Sequence, residues 1–203
     1  MLQNRVDPSA NIIKTIARGN WMGNRGQLHD KGKTILRPFK LKAWLICLLE
    51  FKQRKRQVMA PNLYTELFFL DEATAFAAGH RPCFECRRQD YNHFKAAWLA
   101  GNPEYNFPST VSINQIDEVI HRERIDHTGN KVTYRENLKN LPDGAFILIA
   151  DEPCLVFGDK IYHWSPSGYG NPQELPETDT VEVLTPKSTV NAFRSGYHPQ
   201  LAL

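Results

Sequence analysis

The chain has 203 residues, of which 41% are hydrophobic, 23% charged and 11% aromatic; that balance excludes a disordered chain, and the length suffices to bury a core without metal or disulfides. No apolar run approaches the roughly 18 residues of a membrane span, and no secretory signal pattern opens the chain. The expectations are therefore no membrane partner and, with four cysteines, a reducing cytoplasmic setting. The net charge of +3 is unevenly divided: residues 1–60 hold 13 Lys and Arg against Asp7, Asp30 and Glu50, and the remainder holds 12 against 19 acids, the footprint of a polyanion-binding face or of two faces that neutralise one another.

The first 35 residues, rich in Asn and Gly, read as loops around a short apolar patch anchored by Trp21. From Leu41 to Phe51, "LKAWLICLLEF" is nearly all apolar, and its Trp, Ile and Phe content predicts a buried strand. The basic run Lys52, Arg54, Lys55 and Arg56 lies at its tip. "YTELFFL", residues 64–70, predicts a second strand. In "DEATAFAAG", Asp71 is an N-cap, Glu72 occupies the first turn, the body is Ala-rich and Gly79 closes the C-terminus, which together predict a short helix. A second helix is expected from about Arg88 to Ala100, with Tyr91, Phe94, Ala97 and Trp98 on one face.

Residues 101–111, with two prolines and no period, read as a linker between a unit at 1–100 and another at 112–203. Ser112 and Gln115 form a capping box for a helix with Ile113, Ile116, Val119 and Ile120 along one face. "GAFILIA", "PCLVFG" and "KIYHWS" predict a meander. "TVEVLTP" adds a strand, and Pro186 starts a last short helix. The fold class expected is α+β: an α/β N-terminal unit, then a capped helix on which a small antiparallel meander or half-barrel packs.

The sharpest motif is "AAGHRPCFECRR", residues 77–88. Cys83-x-x-Cys86 has metal-ligand spacing, and His80 and His93 are the nearby imidazoles that would complete a zinc set. The alternative leaves the cysteines as small buried groups. A redox dithiol is less well supported, because such sites follow a strand of a βαβ unit and here a helix precedes the pair.

Over residues 68–88, "FFLDEATAFAAGHRPCFECRR" resembles the metal-binding domain at the N-terminus of the Ada DNA-repair proteins. The shared features are an aromatic-led strand, a short Ala-rich helix, and Gly79, Arg81, Pro82, Cys83 and Cys86 at the family's spacing; the resemblance extends over about residues 40–100. It implies the domain's fold and, in the family, four thiolates that hold zinc, the first of which accepts a methyl group from a DNA phosphotriester. The family's first cysteine pair projects onto Lys52 and Arg56, neither of which can ligate metal or act as a sulfur nucleophile. The methyl-acceptor reaction is therefore not expected. Cys47, inside the apolar strand, reads as buried packing.

What the resemblance and the charge asymmetry leave is a nucleic-acid-associated protein, with DNA or another nucleic acid as partner. Lys52, Arg54, Lys55, Arg56, Arg81, Arg87 and Arg88 would meet phosphates, and zinc is the cofactor. A second reading is an enzyme acting on a small anionic molecule in a cleft between the two parts. In it His121, Arg122 and Arg124 at the end of the capped helix, and His163 in a Gly/Pro-bounded loop, would act as an anion clamp or acid/base groups. A third is a non-catalytic scaffold or assembly protein. No Gly-rich phosphate loop, Gly-x-Ser-x-Gly elbow or His-Glu-x-x-His motif is present.

Overall fold

The computed structural model describes residues 1–53, 57–176 and 178–203. The N-terminal segment that reads as loops supplies three strands instead: β1 (Gln3–Val6), β2 (Ile12–Lys14) and β3 (Trp21–Asn24). Runs this short show no period, so only their pairing defines them. β1 and β2 form an antiparallel hairpin, and β3 lies between β4 (Leu45–Cys47) and β5 (Leu67–Phe69). With β6 (Arg81–Pro82) the sheet has the order β2-β1-β5-β3-β4-β6, and the β1–β5 and β4–β6 pairs are parallel. The expected 41–51 strand shrinks to β4, the portion that has partners on both sides.

The helices form where capping and apolar spacing predict them. Asp71 caps α1 (Glu72–Ala77) by accepting the Thr74 N–H at 2.8 Å. α2 (Arg88–Gly101) buries Tyr91, Phe94, Ala97 and Trp98. α3 (Ile113–Arg124) begins at Ser112, whose Oγ accepts from the Asn114 N–H. The faces of all three helices meet the first sheet in one core around Ile46, Phe69, Phe76, Phe94, Trp98 and Ile116. The capped helix thus belongs to the first sheet's core, a correction to the expectation that the meander packs on it.

The second sheet contains β7 (Tyr134–Asn137), β8 (Phe146–Ile149), β9 (Glu152–Phe157), β10 (Lys160–Ser165), β11 (Gly168–Tyr169), β12 (Gln173–Glu174) and β13 (Thr180–Val183). The expected β8-β9-β10 meander is its centre, in the antiparallel order β11-β10-β9-β8-β13-β7, with β12 pairing β10. α1 packs on this sheet. Ala73 and Ala77 meet Phe146, Leu155 and Leu184, while Ala75, Phe76 and Ala78 face the first core. Small side chains let the two layers approach one helix from both sides, which accounts for its alanine content.

The last helix, α4 (Lys187–Arg194), returns to pack on α2 and α3 and places Phe193 5.2 Å from Phe76, ring centroid to centroid. The 101–111 segment is packed as well: Tyr105 stacks on Trp98 at 5.5 Å. Among the described residues no helix is long and apolar enough to cross a membrane.

Candidate metal centre

The parallel β4–β6 register pairs Leu45 with Arg81 and Ile46 with Pro82, and the Cys83 N–H donates to the Ile46 carbonyl at 2.9 Å. The next residue on each strand is a cysteine, so Cys47 and Cys83 end side by side at one edge of the sheet. A tight turn follows, closed by the Arg87 N–H on the Cys83 carbonyl at 3.1 Å, and it returns Cys86 to the same place. The sulfurs of Cys47, Cys83 and Cys86 lie within 4.8 Å of one another. Thiolates tetrahedrally bound to one ion at about 2.3 Å stand about 3.8 Å apart, so three donors of the right kind are gathered at close to ligating separation. These cysteines form no disulfide; Cys47 and Cys83 are buried and Cys86 is half-buried.

The site favours one anionic sulfur, that of Cys83. Thiols of Cys47 and Cys86 donate toward Cys83, the Cys86 and Glu85 backbone N–H groups add to them, and together they hold the Cys83 thiol far below its ordinary range. The same sharing, first with Cys83 and then with Cys86, pushes Cys47 up. The Glu85 N–H lies 3.4 Å from the Cys83 sulfur. A pocket of about 390 Å³ opens beside the cluster, with Leu49, Phe51, Phe68 and Glu66 in its walls. Glu66 is buried: Oε2 accepts the Met59 N–H at 2.8 Å, and Oε1 has no hydrogen-bond partner among the described residues.

The two histidines expected as ligands lie elsewhere. His80 is fully buried between Trp44 and Phe69, with Nε2 accepting from Arg25 Nε at 3.2 Å. Burial, then the charges of Arg25 and Arg124, push its pKa well below the usual range, so it is neutral. His93 is exposed on α2, its ring 5.2 Å from that of Tyr197. The cluster's third donor, Cys47, has no local signature, because it joins the others through a parallel strand pairing between distant segments.

Two of the cations expected to meet phosphate are committed internally. Arg81 makes a two-pronged ion pair with Asp117, both contacts at 2.7 Å, and is buried. Arg87, also buried, pairs with Glu72 at 2.7 Å and Asp90 at 2.8 Å, and lies over the Trp21 ring. Arg88 and Lys52 are exposed, over the rings of Phe84 and Phe51 respectively. Arg54, Lys55 and Arg56 lie outside the described residues.

The acid/base candidates are dispersed. His121 meets the rings of Phe39 and Trp44 and bonds Arg124 through Nδ1 at 2.9 Å. Burial, with Arg124 and Lys42 beside it, lowers His121 to about 4. Arg122 is exposed. His163 is on the second sheet, where Nδ1 is 3.1 Å from Glu152 and 3.4 Å from the Cys154 sulfur. Burial pushes that thiol up to about 11, so it is protonated at neutral pH and unsuited to attack.

Compared with protein-family models, with curated proteins and with solved structures, the chain matches none of them.

Proposed function

We propose that this protein is a zinc-thiolate protein that associates with nucleic acid, in a unit akin to the Ada metal-binding domain. The observation that supports it is the gathering of three cysteine sulfurs within 4.8 Å at the rim of a pocket. Thiolates form a soft donor set that selects zinc over magnesium or calcium. Cys47, Cys83 and Cys86 would hold the ion, and three protein ligands leave one position for a ligand entering the pocket. Bound there, zinc would supply charge that keeps the thiolates anionic and a Lewis-acidic position. The chain's own contribution is the register that sets Cys47 against Cys83 and the backbone N–H groups directed at Cys83. The family's methyl acceptor falls at Lys52, so a binding centre, not methyl transfer, is the reading.

The surface next to the Cys83–Cys86 turn favours nucleic acid. Phe84 is 48% exposed and Arg88 lies 4.0 Å from its ring centroid, an aromatic and cationic pair of the kind on which unpaired bases stack while phosphates are neutralised.

Purified protein is expected to contain about one equivalent of zinc by elemental analysis, lost in Cys47→Ser and in Cys83→Ser. A wild type that is metal-free and unaffected in stability by added zinc would overturn the centre. Titration with single-stranded DNA should show affinity that falls steeply with salt and drops several-fold in Phe84→Ala and Arg88→Ala. A flat salt dependence removes the nucleic-acid assignment and leaves the metal centre standing.

A further inference from the structure

A second site lies at the other end of β4, where the chain buries positive charge without balancing it. Arg25 is fully buried over the Trp44 ring, 3.8 Å from its centroid. Its Nε reaches His80, and its Nη1 reaches the carbonyls of Ala10 at 3.1 Å and Pro38 at 3.4 Å. Its Nη2 has no acceptor among the described residues. Arg124, also buried, lies 3.9 Å from the centroid of the same indole and donates to the carbonyls of Gly79 at 2.7 Å and Lys42 at 2.6 Å; its Nε has no acceptor among the described residues. Lys131 bonds the Ala77 carbonyl.

Among the described residues none of these three cations has a carboxylate at ion-pair distance. The nearby acids are engaged: Asp117 with Arg81, Glu118 with Lys42, and Asp7 with the backbone N–H and side-chain amide of Asn11. His80, neutral in their midst, offers no compensation. Guanidinium groups keep their proton inside proteins, so burial of Arg25 and Arg124 produces excess charge and not neutral side chains. The effort of burial pushes Arg25 down to about 9 and Lys131 to about 7.

All three cations line one pocket of about 410 Å³, bounded also by Asn11, Arg37 and Asn130. Gly79 makes the packing feasible: a Cβ there would lie 2.3 Å from the Arg124 side chain. A buried charge with no partner is costly, and a fold that assembles two of them, with the half-buried Lys131, around one cavity leaves that cavity suited to an anion.

We infer that this pocket binds a small phosphate-bearing molecule, whose dianion the clustered Arg25, Arg124 and Lys131 would neutralise. A phosphate monoester suits the site better than a polymer. Its two charges answer three cations better than the single charge of a phosphodiester, and Arg25 and Arg124 lie below the surface, out of reach of a strand tracking across it. The assignment is independent of the metal centre.

The test uses inorganic phosphate and a 5′-hydroxyl, single-stranded oligonucleotide as probes, with thermal unfolding and titration calorimetry on the full chain at constant ionic strength. Phosphate should raise the unfolding midpoint of wild type more than that of Lys131→Met, whose affinity falls at least tenfold; Arg25→Met should lose binding. Without phosphate, Lys131→Met should melt at or above wild type, because the substitution removes repulsion; a purely structural lysine would lower it. Equal stabilisation of wild type and Lys131→Met by phosphate, or no binding heat, overturns the inference. An oligonucleotide that binds as tightly as phosphate and loses affinity in Lys131→Met also overturns it, in favour of a strand-binding groove.

Discussion

Lys131 shows at the scale of one residue what its surroundings cost. Burial, then the charges of Arg124 and Arg25, lower it to about 7 from an ordinary 10.5, with Asp7 opposing weakly. Between those values the unfolded chain binds a proton that the folded chain has released, so this group makes stability rise with pH from about 7 upward. The wild-type unfolding midpoint should therefore climb between pH 7 and 9 in low-phosphate buffer. In Lys131→Met the slope over that range should flatten; an identical slope would assign it to other groups. His121, lowered to about 4, acts in the same sense at lower pH, its contribution to stability growing from about 4 to 6.5. Gly79 is the residue on which this packing depends: its φ is +88° and a Cβ would clash with Arg124. Gly79→Ala should cost roughly 2–4 kcal/mol, combining a left-handed conformation with overpacking, measured as a shift in the urea midpoint.

α1 is the element to which the other layers attach. Its cap, Asp71, accepts from Thr74 through Oδ1, while Oδ2 accepts the Tyr169 hydroxyl at 2.6 Å and the Ala202 N–H at 3.1 Å. Glu72 accepts from the Tyr197 hydroxyl at 2.7 Å and the Gln200 N–H at 3.0 Å, and pairs with Arg87. Two adjacent carboxylates thus tie the helix start to the second sheet, the C-terminal segment and the turn that holds the cysteines. Asp71→Ala removes a cap worth about 1 kcal/mol and leaves buried donors without an acceptor at about 1–3 kcal/mol. A loss of about 3 kcal/mol in chemical denaturation is expected; a loss under about 1 kcal/mol would mean that water replaces the carboxylate.

Over the whole molecule, the chain returns late to complete what it began early. Phe193 and Tyr197 close the aromatic cluster around Phe76 and Phe94, the Asn102 amide donates to the Ser188 carbonyl at 3.0 Å, and Glu123 accepts the Ser188 hydroxyl at 2.5 Å. With these contacts joining the last helix and the C-terminal segment to α1, α2 and α3, unfolding is expected as one transition, coincident by tryptophan fluorescence and far-ultraviolet circular dichroism. A fragment ending at residue 111 would expose Phe76, Phe94 and Trp98 and should fail to fold cooperatively. Two separated transitions would show that the halves are independent.

Sequence by itself determined the helices and the meander, because caps, helical spacing and short apolar runs broken by turn residues are local: Asp71, Ser112 and Gly79 mark their elements whatever lies around them. It also exposed the Cys83–Cys86 turn. Tertiary structure decided the rest. Strands of three or four residues exist only through partners far along the chain, so β1, β2 and β3 were illegible. Cys47 joined the cysteine cluster only through its register against Cys83, and an apolar strand with a cysteine looks the same whether that thiol packs or stands beside two others. Arg81 and Arg87 read as cations for phosphate and Arg124 as part of an anion clamp, because charge in a sequence has no address; folding paired the first two with carboxylates and left the third, with Arg25 and Lys131, facing a cavity. Those outcomes depend on which long-range neighbours arrive, and no local pattern encodes them.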